Sequence, residues 1–197
     1  FCGGNVINCF LKKKTQYNNL IVSTKLKQHE MFEEFDFNKL INEIDKWYSY
    51  IEEFSSDLIL KKINDEKLKK NSIIFDPFIG SGTTAIISNL VGHDAIGFDS
   101  NPLMTMVSKV KTNWTIKIKK IEDEFKKINK KFLREINDNK KIEFKNYFSN
   151  MPDKEIDQWL SLKNKKEIAT LKKIINNIND KEIKEFFLIC MAKSAFD

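Results

Sequence analysis

Arginine is almost absent from this sequence. Arg134 is the only one among 197 residues, although lysine and arginine together number 34. Arginine reads guanine edges through paired hydrogen bonds, whereas lysine mainly neutralises phosphate. We therefore expect sequence-specific base reading to lie outside this chain. The formal net charge of +6 favours an encounter with a polyanion, but it gives only slight support for a nucleic-acid partner.

Cysteine and histidine are few and scattered. Cys2, Cys9 and Cys190 are odd in number and lack C-x-x-C spacing, which suits reduced thiols in a cytosol rather than a disulfide framework. His29 and His93 have no cysteine or acidic partner at metal-ligand spacing, so no metal site is predicted. No apolar run reaches membrane-spanning length, and no leader sequence is visible. These absences predict a soluble, cytoplasmic protein without a metal.

Glycine is scarce as well, with six residues, and two of them stand in the string DPFIGSGTT at residues 76–84. An apolar run at residues 73–75 precedes this string, which predicts a buried strand, a glycine loop and a helix that begins near Thr83. Gly80 and Gly82 let the backbone approach a ligand, and the first N–H groups of the helix point into the loop. We expect an anionic or polar ligand group there.

A second strand-and-loop pattern follows, in which the apolar residues 95–98 end in Asp99. A carboxylate at the carboxyl end of the adjacent strand typically holds ribose hydroxyls. An isolated acid at such a position is more often a solvated loop residue or the N-cap of the next helix. The matching strand upstream favours ribose binding for Asp99.

The loop differs from two common nucleotide cradles. A P-loop needs a lysine after its last glycine, and none follows Gly82. A dinucleotide fingerprint needs a third glycine where this chain has Ala85, which leaves NAD weakly supported.

Together, DPFIGSGTT and GFDSNPL (residues 97–103) resemble the S-adenosylmethionine site of DNA methyltransferases that modify the exocyclic amino group of adenine or cytosine. The resemblance is specific over residues 73–113. It implies that the first string surrounds the methionine part of the cofactor and that Asp99 takes the ribose. The cofactor-binding residues that it implies are Asp76, Pro77, Phe78, Gly80, Ser81, Gly82, Thr83, Asp99 and Ser100.

The tetrapeptide [DNS]PP[YFW], which holds the target amine in this family, is missing from the sequence. The catalytic residues therefore remain unknown, and we expect them beyond Asp197 in a longer parent protein. The chain by itself is then expected to bind cofactor at best, and to turn over slowly or not at all.

The order strand, helix, strand, helix is typical of an α/β protein with a parallel sheet. The resemblance implies a partial Rossmann-like methyltransferase fold with a helical C-terminal extension. We expect an irregular N-terminal segment (1–36), a cofactor-binding α/β core (37–113) and a mostly helical extension (114–197). Apolar spacing predicts helices at two places within 37–63, the second capped by Ser55 or Ser56, and at 83–91, 102–112, 115–138, 168–178 and 183–196.

For the parent protein, the resemblance implies a site-specific methyltransferase that acts on double-stranded DNA, with a restriction endonuclease as a candidate partner. Two alternatives stay open: an RNA methyltransferase for the guanine amino group, and a non-catalytic interaction module with a vestigial cradle. Adenine and cytosine are not distinguished. The lysine face of the helix at 115–138 is better explained by solvation than by contact with DNA.

Overall fold

The computed structural model describes residues 44, 48, 55–69, 71–136, 158 and 160–196. The chain divides into two compact units. Among the described residues, one unit ends at Thr115 and the other begins at Ile116. The predicted irregular segment 1–36 lies outside the described residues, as does the first helix predicted within 37–63 apart from Ile44 and Tyr48.

The elements of the described residues alternate in the first unit and are all helical in the second. The first unit contains α1 (Ser56–Asp65), β1 (Ile73–Asp76), α2 (Thr83–Leu90), β2 (Asp94–Gly97) and α3 (Pro102–Thr112). The second contains α4 (Ile118–Ile136), α5 (Leu162–Asn176) and α6 (Lys181–Phe196). The chain is therefore a mixed α/β protein, as the order of its apolar runs predicts.

Helix boundaries follow their capping residues. The Ser55 side chain accepts a hydrogen bond from the Asp57 N–H at 3.2 Å, which confirms the predicted cap of α1. α2 and α3 agree with their predicted ranges to within one residue. α5 begins six residues before its prediction, because Ser161 caps a polar first turn that carries no apolar periodicity.

The two strands pair in parallel, with Ile73 opposite Asp94 and Asp76 opposite Gly97. One face of the pair packs against α2. The prediction of a buried strand was wrong, because no residue of β1 is buried. On the face away from α2, Phe75 is 59% and Phe98 63% exposed, and their ring centroids are 5.9 Å apart. A parallel strand is buried on both sides only where elements cover both faces of its sheet.

α2 is the centre of the first unit, because it contacts α1, α3 and both strands. Its Ile86 and Ile87 are fully buried, as is Val107 of α3. This packing holds the start of α2, and hence the end of the preceding loop, in a fixed position against α3 and the sheet.

The second unit is built on α5, which packs against both α4 and α6. Its core includes Ile121 and Ile128 of α4 and the perpendicular rings of Phe186 and Phe187 in α6. Among the described residues there is no helix with both the length and the apolar composition that a membrane crossing requires.

Asp180 joins two helices of this unit. Its Oδ1 accepts the Ile183 N–H at 3.0 Å at the start of α6, and its other oxygen pairs with the Lys120 ammonium of α4. The hydrogen bond from Lys120, followed by that from Ile183, lowers the pKa of Asp180 below its ordinary value of 3.8. The carboxylate therefore contributes to stability above that pH, and the contribution is lost as the pH falls through the lowered pKa.

We expect Asp180→Ala to lower the free energy of unfolding by about 0.5–2 kcal/mol at pH 7, because α6 loses an N-terminal hydrogen bond. Asp180→Asn keeps an acceptor for the Ile183 N–H and should cost less. Urea unfolding measures both, and the difference between wild type and Asp180→Asn should shrink below pH 3.8. Equal losses for the two variants would contradict a capping role.

Candidate functional site

β1 ends at Asp76, whose carboxylate organises the loop that follows. Its Oδ1 accepts the Phe78 N–H at 2.9 Å, and its Oδ2 accepts the Thr84 hydroxyl at 2.6 Å. Asp76 thus holds both ends of the glycine loop, the turn after β1 and the first turn of α2. In this arrangement both carboxylate oxygens have protein partners.

Ile79 anchors the loop beside β2. Its N–H donates to the Phe98 carbonyl at 2.8 Å, which continues the pairing beyond the strands. Its side chain is buried and lies over Gly97, so that a Cβ on Gly97 would be 2.6 Å from Ile79 Cγ1. Gly97 therefore positions the loop, a role that sequence reasoning missed. The available signal was a glycine at the end of a strand in a sequence with six glycines.

Gly80 and Asp99 join the two loops. The Gly80 N–H donates to Asp99 Oδ2 at 2.9 Å, and the Asn101 N–H donates to Oδ1 at 2.7 Å. Gly80 has φ +51°, and a Cβ built on it meets only the Phe78 carbonyl oxygen, at 4.0 Å. The backbone at Gly80 therefore borders open space.

Gly82 allows α2 and α3 to pack closely. Its φ is +99°, and a Cβ there would be 2.8 Å from Ser108 Cβ and 2.9 Å from Ser108 Cα, so glycine allows α2 to begin against α3. Gly82 is also the N-cap of α2, and no side-chain hydrogen bond caps this end of the helix. Without a capping side chain, the first N–H groups of α2 keep their capacity to bind a negatively charged or polar group.

The remaining residues predicted for the site differ in exposure. Ser81 and Thr83 are 3% and 4% exposed, so their side chains belong to the packed base of the loop. Pro77 and Ser100 are exposed, and Phe78 is 82% exposed, which excludes core packing as its role. Phe78 presents an open aromatic ring beside the loop.

Asp99 is not the N-cap of α3, the alternative use of an acid at this position. That cap is Asn101, whose Oδ1 accepts the Leu103 N–H at 2.9 Å. A carboxylate offers about four lone-pair positions, and two of those on Asp99 take backbone N–H groups. The others are available to hydroxyl donors.

The charges of the site suit a particular kind of ligand. Residues 76–84 contain no lysine or arginine, and the two carboxylates of Asp76 and Asp99 flank the loop. Carboxylates attract hydroxyl and ammonium donors, whereas the start of α2 attracts an anion. In the described ranges, no three His, Cys, Asp or Glu side chains are grouped to hold a metal ion. The site therefore offers acceptors for hydroxyl or ammonium groups beside a helix start that attracts an anion.

Comparison with known proteins identifies the family. Residues 5–109 match the model of the DNA methylase family of N6 and N4 methyltransferases. The chain is 33% identical over 93 residues to the type II methyltransferase M.BsoBI of Geobacillus stearothermophilus, a match that covers 47% of this chain and 18% of that protein. It is 28% identical over 102 residues to the type II methyltransferase M2.LlaDCHI of Lactococcus lactis subsp. cremoris, a match that covers 52% of this chain and 38% of that protein.

A third relative, the type II methyltransferase M2.DpnII of Streptococcus pneumoniae, is 27% identical over 89 residues, and this match covers 45% of this chain and 33% of that protein. The chain thus spans between 18% and 38% of the length of these relatives. No solved structure matches the chain. Because the family model covers more than half of the 197 residues, including both loops of the site, the chain belongs to the DNA methylase family of N6 and N4 methyltransferases.

Proposed function

We propose that the two loops bind S-adenosylmethionine, and that the chain is the cofactor-binding part of a site-specific methyltransferase that acts on the exocyclic amino group of adenine or cytosine in DNA. The main support is the hydrogen bond between the Gly80 N–H and Asp99 Oδ2 at 2.9 Å. It sets the glycine loop and the acid of the next strand side by side, at the carboxyl ends of two parallel strands, where α/β proteins bind nucleotides.

The residues present fit this cofactor. The free lone pairs of Asp99 would accept the ribose hydroxyls, and the uncapped start of α2 would receive the carboxylate of the methionine part. Gly80 leaves space for the ligand against the backbone. Pro77, Phe78 and Ser100 would form the exposed rim, whereas Asp76, Ser81, Gly82 and Thr83 would hold the loop in shape from beneath.

The cofactor supplies the chemistry, because its sulfonium carries the methyl group that is transferred. The described residues would bind the cofactor and orient it. Correct placement of reacting groups contributes up to about 7–11 kcal/mol in favourable cases. The tetrapeptide [DNS]PP[YFW] does not occur in the 197 residues, so we propose that the parent protein holds the target amine elsewhere and that this chain turns over slowly or not at all.

We also propose that the described strand pair belongs to a larger Rossmann-like sheet, within an α/β core at 37–113 that is followed by a helical extension at 114–197. The support is the exposed apolar face of the pair, since both faces of parallel sheets are normally covered. Its exposed side chains are Ile73, Phe75, Ile96 and Phe98.

The family finding favours DNA over RNA as the substrate of the parent protein. The type II methyltransferases among the relatives support a restriction endonuclease as partner. A non-catalytic module with a vestigial cradle predicts no cofactor binding, so a binding measurement separates it from both enzymes.

Asp99→Ala should raise the Kd for S-adenosylhomocysteine about ten- to a hundredfold, because a hydrogen bond to a charged acceptor contributes about 1.5–3 kcal/mol. Isothermal titration calorimetry on the 197-residue chain measures this. The matched control is Asp94→Ala, which removes an exposed carboxylate at the other end of β2 and should leave the Kd unchanged. An unaltered Kd in Asp99→Ala, or no saturable heat in the wild type, would contradict the proposal.

Two glycine variants separate ligand space from packing. Gly80→Ala adds a methyl group to open space, so it should cost about 1–2 kcal/mol of stability for its positive φ and weaken cofactor binding. Gly82→Ala should add about 1–3 kcal/mol to that cost, because the methyl group meets the Ser108 backbone. Urea unfolding and calorimetry with S-adenosylhomocysteine measure the two effects. Wild-type affinity in Gly80→Ala would show that the ligand does not lie against Gly80.

A further inference from the structure

The outer face of α4 carries a row of basic side chains. Its opposite face holds Ile121 and Ile128, which are buried. The basic residues are spaced seven, four and four positions apart, which places them along one side of the helix, and all are exposed. We call them the α4 basic stripe: Lys119, Lys126, Lys130 and Arg134.

Two lysines that flank the stripe have acidic partners. Lys120 pairs with Asp180, and Lys127 donates to Glu124 Oε2 at 2.8 Å. Each lysine donates a hydrogen bond to its carboxylate, and this bond raises the pKa of Lys120 through Asp180 and the pKa of Lys127 through Glu124. These ion pairs neutralise the charges of Lys120 and Lys127 beside the α4 basic stripe.

The stripe itself is weakly neutralised. Lys126 Nζ lies 4.0 Å from Asp123 Oδ1, and an exposed ion pair of this kind contributes little to stability. Lys119, Lys130 and Arg134 make no ion pair within the ranges that the structure describes. The outer face of α4 therefore presents a line of positive charge to solvent, which a general excess of lysine over the surface does not by itself produce.

The packing of α4 distinguishes between two anionic partners. A basic amphipathic helix that binds a lipid surface inserts its apolar face into that surface. The apolar face of α4 is already packed against α5. Only the basic face is available, and such a face suits a polyanion that is bound through its charges alone.

The dimensions of the stripe suit duplex DNA. At 1.5 Å per residue, Lys119 and Arg134 are about 22 Å apart along the helix, roughly six to seven base steps at 3.4 Å each. Lysine neutralises phosphates as a point charge, and three of the four residues are lysines. Such contacts hold the duplex without reading its sequence.

We propose that the α4 basic stripe is a docking surface for the phosphate backbone of double-stranded DNA. The inference rests on the proposed action of the parent protein on DNA, and it adds a sequence-independent contact outside the cofactor loops. It replaces the interpretation of this face as merely solvated, because three of the four charges make no ion pair within the described ranges and Lys126 makes only a weak one, whereas Lys120 and Lys127 beside them are paired.

The test measures fluorescence anisotropy of a labelled duplex at several salt concentrations. The variant is Lys119→Gln, Lys126→Gln, Lys130→Gln and Arg134→Gln together. It should weaken binding by roughly tenfold or more and lower the slope of log K against log salt by about 3–4, since each lost phosphate contact contributes about 0.9. The control carries the same charge change at four other exposed positions: Lys61→Gln, Lys62→Gln, Lys69→Gln and Lys163→Gln.

The control should retain most of the wild-type affinity and slope. Equal losses of DNA affinity in both variants would mean that only net charge matters, and would overturn the proposal. It would also be overturned if the stripe variant lost binding to duplex RNA or to anionic vesicles but still bound DNA as the wild type does. Calorimetry with S-adenosylhomocysteine on the same samples should show unchanged cofactor affinity. An absent cofactor signal contradicts the proposed function, whereas a stripe variant that binds DNA normally contradicts only the docking surface.

Discussion

The hydrogen bond from the Gly80 N–H to Asp99 is the constraint on which the site depends. It joins the loop after β1 to the loop after β2, two segments that are 19 residues apart in the chain. Ile79 supports the same junction from beneath, through its bond to the Phe98 carbonyl and its packing on Gly97. A backbone cradle and a carboxylate are thereby presented together, which neither loop offers alone.

Much of this arrangement was predictable, because its causes are local. Pro102 and the Asn101 cap set the start of α3, and the glycines at 80, 82 and 92 all take positive φ where the loop pattern requires turns. The parallel pairing of the strands follows from the helix between them. Family membership was likewise expected from the two motifs, and the family comparison confirms it.

The rest was not predictable, because it depends on contacts between distant residues. Nothing in the motif indicates that Gly97 accommodates Ile79, or that Gly82 allows Ser108 to approach the start of α2. The exposure of Phe75 and Phe98 was also missed, since an apolar run predicts burial but does not say which element covers it. The start of α5 was missed because a polar first turn carries no apolar period.

A crystal structure of the chain with S-adenosylhomocysteine tests the proposed cofactor site most directly. If the two loops bind the cofactor, the ribose hydroxyls will lie within hydrogen-bond distance of Asp99, the amino-acid carboxylate at the start of α2, and ligand atoms in van der Waals contact with Gly80. A ligand bound elsewhere in the chain, or one that leaves Asp99 without a ribose contact, would contradict it.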